Sequence, residues 1–236
     1  MVDYLSIERQ LTLSLALRRR PVAVKFRDVP LAGVAKFTGT EPSGCSFWRL
    51  AAEGRTFYTV PSDHYNCPVG AHTHNISLPQ DRSQELTQVL SLMTSIGYLK
   101  IEEVPSIARL PQTPGVVIYS PLGDAPLDPD VVVFAGKPAR LMLLQEAAVR
   151  VGSAAQAPLL GRPTCMALPA AMTSGTVMST GCIGNRVYTD LAEDELYVAV
   201  RGKDLAHIAQ ELETIADANS KLLEYHRTRR QQLATL

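Results

Sequence analysis

The sequence has no net charge and no long apolar run, and each absence removes a class of function. Lys plus Arg and Asp plus Glu both number 23 among 236 residues, so no bulk field draws the chain to nucleic acid or to an anionic membrane. The local basic runs, Arg18-Arg19-Arg20 and the trio Arg227, Arg229 and Arg230, fall at the ends of expected helices, where cations complement the dipole. No apolar stretch approaches the roughly 18 residues of a membrane span. The segment MVDYLSIERQ places Asp3, Glu8 and Arg9 where a secretory signal needs its apolar core. The expectation is a cytoplasmic protein with neither a nucleic-acid nor a membrane partner. Phosphate loops, dinucleotide fingerprints and Gly-x-Ser-x-Gly elbows are missing as well, and no Cys-x-x-Cys pair occurs.

What is present is an ordinary globular composition, 46% apolar and 19% charged, enough to bury one core across residues 1–236. Tyr4, Ile7, Leu11 and Leu15 recur at helical spacing, with Pro21 as the expected stop. Leu86, Val89, Leu90, Met93 and Ile96 mark a second amphipathic helix, and Leu141, Leu144, Ala148 and Val151 a third. Leu205, Ile208, Leu212 and Ile215 mark the last, beyond which the tail from His226 loses periodicity and is expected to fray. Val22–Phe26, Thr56–Val60, Thr176–Thr180 and Leu196–Val200 read as strands. The runs GVVIYS and VVVFA suit strands buried on both faces. Helices and strands intermingle, which defines an α/β (or α+β) class with a mixed sheet and flanking helices.

Four cysteines fall into two matched pairs, Cys45/Cys67 and Cys165/Cys182. Each half reads cysteine, short helix, glycine (Gly54 or Gly175), strand, then a second cysteine shortly before another glycine. The pattern predicts two related halves, 21–120 and 131–216, packed about a pseudo-twofold axis, with equivalent cysteines converging on one interface. Chance repetition of helix–glycine–strand units is the bland reading, since glycine commonly follows a helix.

In a reducing compartment disulfides rarely persist, so the cysteines call for core packing, metal binding or thiol chemistry. Cys165, beside Met166, Ala167 and Leu168, suits the core. Cys67 and Cys182 sit in polar segments where Gly70 and Gly184 let backbone N–H groups approach a thiolate or a cluster sulfide. Four thiolates suffice for an iron–sulfur cluster or for tetrahedral zinc. His64, His72 and His74 flank Cys67. The spacing of the latter two would place both rings on one side of a strand, and a histidine-rich surface loop is the rival reading. Asp63-His64 can instead activate Cys67 as a nucleophile. Asn185, Arg186 and Tyr188, with Arg49 and Arg55, are candidates for holding an anionic cofactor, against ordinary strand-edge polarity.

The segments PVAVKF, DHYNCPVGA, VVVFAGKPAR, GRPTC and GC-x-GNRVYT together resemble an uncharacterised prokaryotic family, domain of unknown function 169, from about Pro21 to Ala216. The resemblance carries no activity. It implies that all four cysteines and His64 lie within the family's motifs, with His72 and His74 peripheral. The leading expectation is a cysteine-ligated cofactor protein in which Cys45, Cys67, Cys165, Cys182 and His64 supply ligands to an iron–sulfur cluster. Asn185 and Arg186 would be cofactor contacts, and the role would be electron transfer, cluster delivery or redox sensing. The alternatives are a structural zinc protein, a thiol-dependent enzyme or tetrapyrrole-like binder using Cys67 and His64, and a plain binding module. Expected partners are a small molecule, a redox protein or a second copy of the chain.

Overall fold

Alternating side chains dictate the architecture. Val22, Val24, Val131, Val133, Tyr197 and Ala199 point into one core, while Ala23, Val132, Phe134, Val198 and Val200 point into another. One sheet therefore buries both faces, which is why its central strands read as continuous apolar runs. The computed structural model describes residues 2–153 and 159–234. Among these the strands are Val22–Arg27 (β1), Phe57–Thr59 (β2), Val116–Pro121 (β3), Val131–Gly136 (β4), Leu159–Leu160 (β5), Thr176–Ser179 (β6) and Leu196–Arg201 (β7). They form a seven-stranded mixed sheet in the order β2-β3-β1-β4-β7-β6-β5. The β5–β6 pair is parallel, and the other pairs are antiparallel.

Helices Tyr4–Leu15 (α1), Pro138–Arg150 (α5) and Leu205–Ala234 (α8) cover one face through Leu11, Leu15, Leu141, Leu144, Ile208 and Leu212. Helices Ser46–Ala52 (α2) and Ala167–Ser174 (α6) cover the other through Phe47, Trp48 and Leu168. Each fully buried Leu, Val or Phe contributes about 1.5–3 kcal/mol, so these two cores hold the three layers together.

The centre line of the sheet is β1 against β4, with Val22 opposite Val133 and Val24 opposite Val131. Moving outward, the first half follows β1, β3, β2 and the second half follows β4, β7, β6. In each half the first strand is central and the last lies next to it; β2 lies outside in the first half, and β6 with β5 beyond it in the second.

Local structure departs from the sequence expectations at four places. Helix α1 ends at Leu15, well before Pro21, because Ala16 turns left-handed (φ 49°) and the Leu17 N–H donates to the Thr12 carbonyl at 3.0 Å. That closure satisfies orphan carbonyls without a proline. The segments around Cys67 and Cys182 are not simple turns or strand edges but hold short helices, Pro68–Thr73 (α3) and Ile183–Thr189 (α7). Helix Gln80–Ser95 (α4) forms where expected but buries no residue fully. The tail does not fray into coil. It stays helical to Ala234, with residues 220–234 exposed, and the last two residues of that expectation lie outside the described ones.

Candidate functional site

Every cysteine sits at the head of a short helix. Cys45 precedes α2, Cys67 caps α3, Cys182 precedes α7, and Cys165 lies in the 3-10 turn Thr164–Met166 that runs into α6. The two halves cross at this point. Helix α2 packs on α7, and α3 packs on the Thr164–Met166 turn. All four thiols consequently line one cavity of about 350 Å³. Cys45 and Cys165 are buried beneath it within the core on that face of the sheet. The four are free thiols.

The thiols are held by backbone and threonine contacts. The Gly70 N–H donates to Cys67 Sγ at 3.3 Å, and the Gly44 N–H also favours its thiolate. A Cβ at position 70 would stand 2.8 Å from that sulfur, so only glycine allows the approach. The Cys182 N–H donates to Thr164 Oγ1 at 2.6 Å, tying this cysteine to the segment that carries Cys165. The Thr73 hydroxyl favours the Cys165 thiolate.

Burial and mutual repulsion keep Cys45, Cys67 and Cys165 protonated. Burial pushes Cys45 well above the ordinary thiol value, and nearby Cys165 and Cys67 push it further, while the Asn185 amide works the other way. Burial raises Cys165 strongly, with Cys67 adding to it. Burial raises Cys67 despite its two N–H donors. A positive charge placed among them would reverse this penalty, because metal binding replaces the protons. Thiols with raised pKa values are poor nucleophiles on their own.

Asn185 lines the cavity and is 2% exposed, yet neither amide atom has a hydrogen-bond partner within reach. Its side chain favours the Cys45 thiolate. Arg186 is spent elsewhere: its guanidinium donates to the backbone carbonyls of Ala192, Thr180 and Glu195, closing the loop after α7. Arg49 pairs with Glu53 at 3.0 Å, and Arg55 lies over the Phe37 and Phe57 rings.

The histidines separate. His64 is buried (1% exposed), packed edge-to-face on Phe47 with ring centroids 5.0 Å apart, with Nε2 at 2.9 Å from the Thr59 hydroxyl. It is not among the cavity walls. His74 is equally buried, its Nδ1 at 2.9 Å from the Gly70 carbonyl, and its ring lies 5.2 Å from that of His64. Burial, then the neighbouring His74, holds His64 well below the ordinary imidazole value, and burial holds His74 at about 4. His72 and His74 do not share a strand face: Thr73 ends α3, so the two rings diverge, His74 inward and His72 to a half-exposed position. Nor is this a surface loop, since two of its three imidazoles are core residues.

Sequence reasoning missed Arg162, Tyr98 and α4 as walls of the same cavity. The signal available was the α4 pattern itself, an apolar stripe on a helix with no strand of its own to cover. Among the described residues, no three His, Cys, Asp or Glu side chains are gathered to hold a single metal ion. The thiols line walls rather than meet at a point.

Residues 10–211 match the model of domain of unknown function 169, whose description is "Uncharacterised ArCR", and the chain belongs to that family. It is also similar to the uncharacterized protein MJ0308 of Methanocaldococcus jannaschii, 26% identical over 182 residues, covering 73% of this chain and 77% of that one. No solved structure matches the chain significantly. Among the described residues no helix is long and apolar enough to cross a membrane.

Proposed function

We propose that this protein carries an iron–sulfur cluster on Cys45, Cys67, Cys165 and Cys182 and serves in electron transfer, cluster delivery or redox sensing in a reducing cytoplasm. The observation that carries this reading is the convergence of all four cysteines, two from each half, on one cavity. Their chemistry suits a soft polynuclear group. A single zinc ion needs four sulfurs each about 2.3 Å from one centre, whereas a cluster accepts ligands standing further apart around a cavity. Bound there, a cluster would supply reversible one-electron chemistry.

The chain's own contribution is to hold and shield. Cys67 is fixed by Gly70 N–H, and Cys182 by Thr164. Asn185 offers an unspent amide beside Cys45. His64 supports the floor from behind through Thr59 and Phe47. A nucleophilic Cys67 served by His64 is disfavoured, because that imidazole is turned to Thr59 and the thiol is raised by burial.

We further infer that the halves 21–120 and 131–216 descend from a duplication. The matched strand order supports this, as do the left-handed glycines Gly54 (φ 105°) and Gly175 (φ 91°) that follow α2 and α6. Equivalent cysteines would then meet across the pseudo-axis.

Single serine substitutions test the ligand set. Each of Cys45→Ser, Cys67→Ser, Cys165→Ser and Cys182→Ser is expected to lower iron per chain and weaken visible absorbance in anaerobically prepared protein. Four variants that all keep wild-type iron and colour would end the proposal.

A further inference from the structure

The cavity continues above the thiols. Its roof is α4 with the segment that follows, and the side chains there are apolar: Val89, Leu90, Met93, Leu99 and Ile107, with Tyr98 beside them. Helix α4 buries no residue fully because its inner face looks into open space rather than into core. Its outer side leaves Leu92 59% and Ile96 66% exposed. The whole cavity, thiol floor and apolar roof together, is about 350 Å³, within the small-molecule range of roughly 300–1,000 Å³.

Among the described residues one charged side chain lines it, and that side chain is a cation. Arg162 sits with its guanidinium carbon 4.6 Å from the Tyr98 ring centroid. Its Nη2 lies 3.4 Å from Glu103 Oε2, an oxygen that also accepts from the Lys100 N–H at 3.1 Å. This long ion pair leaves most of the guanidinium's donors for another acceptor. Among the described residues no Asp or Glu lines the cavity.

We propose that the chamber binds an apolar small molecule bearing one carboxylate, its body beneath α4 and its carboxylate on Arg162. The inference goes beyond the cluster reading, since it stands on the roof and rim rather than on the thiols.

Titration calorimetry of the full chain with octanoate and with 1-octanol tests it, with iron assayed on the same sample. Octanoate is expected to bind one per chain, about tenfold tighter than the alcohol, a difference of about 1.4 kcal/mol. Arg162→Gln should bring octanoate to the alcohol's affinity. Val89→Trp, which fills the chamber from its roof, should weaken both ligands by about tenfold or more. Arg162 is exposed and Val89 only partly buried, so neither change empties the core. Absence of binding heat, equal affinity for acid and alcohol in the wild type, or octanoate affinity unchanged in both variants would overturn the proposal. Iron-free protein that binds octanoate as described would count against the cluster alone, and iron-loaded protein that does not bind would count against the chamber alone.

Discussion

Asn185 is the residue whose position costs most for the least structural return. A buried amide without partners forfeits about 1–3 kcal/mol, and both its polar atoms are in that state beside Cys45. The proposed site gives such a group a reason to be kept. Asn185→Leu is accordingly expected to stabilise the metal-free protein by about 1 kcal/mol in urea denaturation. Destabilisation by a similar amount would make Asn185 a structural residue. His64 and His74 carry a second residue-scale consequence. The unfolded chain binds protons on both imidazoles below about pH 6.5, whereas native His74 resists until about pH 4. Stability present above pH 6.5 is thus lost progressively as pH falls toward 4. His74 alone accounts for roughly 3 kcal/mol of that loss. The urea midpoint should fall between pH 7 and pH 5, and His74→Gln should remove much of the slope. A midpoint that stays level in the wild type contradicts the buried neutral pair.

At the scale of elements, the strands and long helices were legible because period and burial coincide. Val131–Gly136 reads as an apolar run and is a central strand, and Pro138 opens α5 where its missing N–H costs nothing. Helices α3 and α7 were not legible. Each is under eight residues, Gly70 and Gly184 interrupt them, and their stability comes from packing across the two halves rather than from propensity. The cysteine pairing was visible as an echo in sequence, but convergence depends on α2 meeting α7 and α3 meeting the Thr164–Met166 turn, contacts between residues far apart in the chain. The burial of His64 was hidden for the same reason, since the ring is enclosed by Phe47 from another segment. Helix α8 extends beyond its last buried residue, Leu212, into a stretch exposed from residue 220 to residue 234. Removing residues 220–236 should change unfolding free energy by less than about 0.5 kcal/mol. A loss of about 2 kcal/mol or more would mean that this stretch is covered in solution.

For the whole molecule, the sheet serves as a frame. Its centre line joins β1 to β4, one face is sealed by α1, α5 and α8, and the opposite face brings four helix-heading cysteines together under α4. Burial and the neighbouring thiols raise the pKa of Cys45 and Cys165, and the proposed cluster would replace their protons and link the two halves. The most direct measurement is iron and acid-labile sulfide per chain, with a visible spectrum, on protein purified without oxygen. The account predicts iron and sulfide in matched amounts near one cluster per chain, with a broad visible band that bleaches on reduction. Colourless protein that takes up neither iron nor sulfide, even after anaerobic reconstitution, would contradict it. Stoichiometric zinc in their place would do so as well.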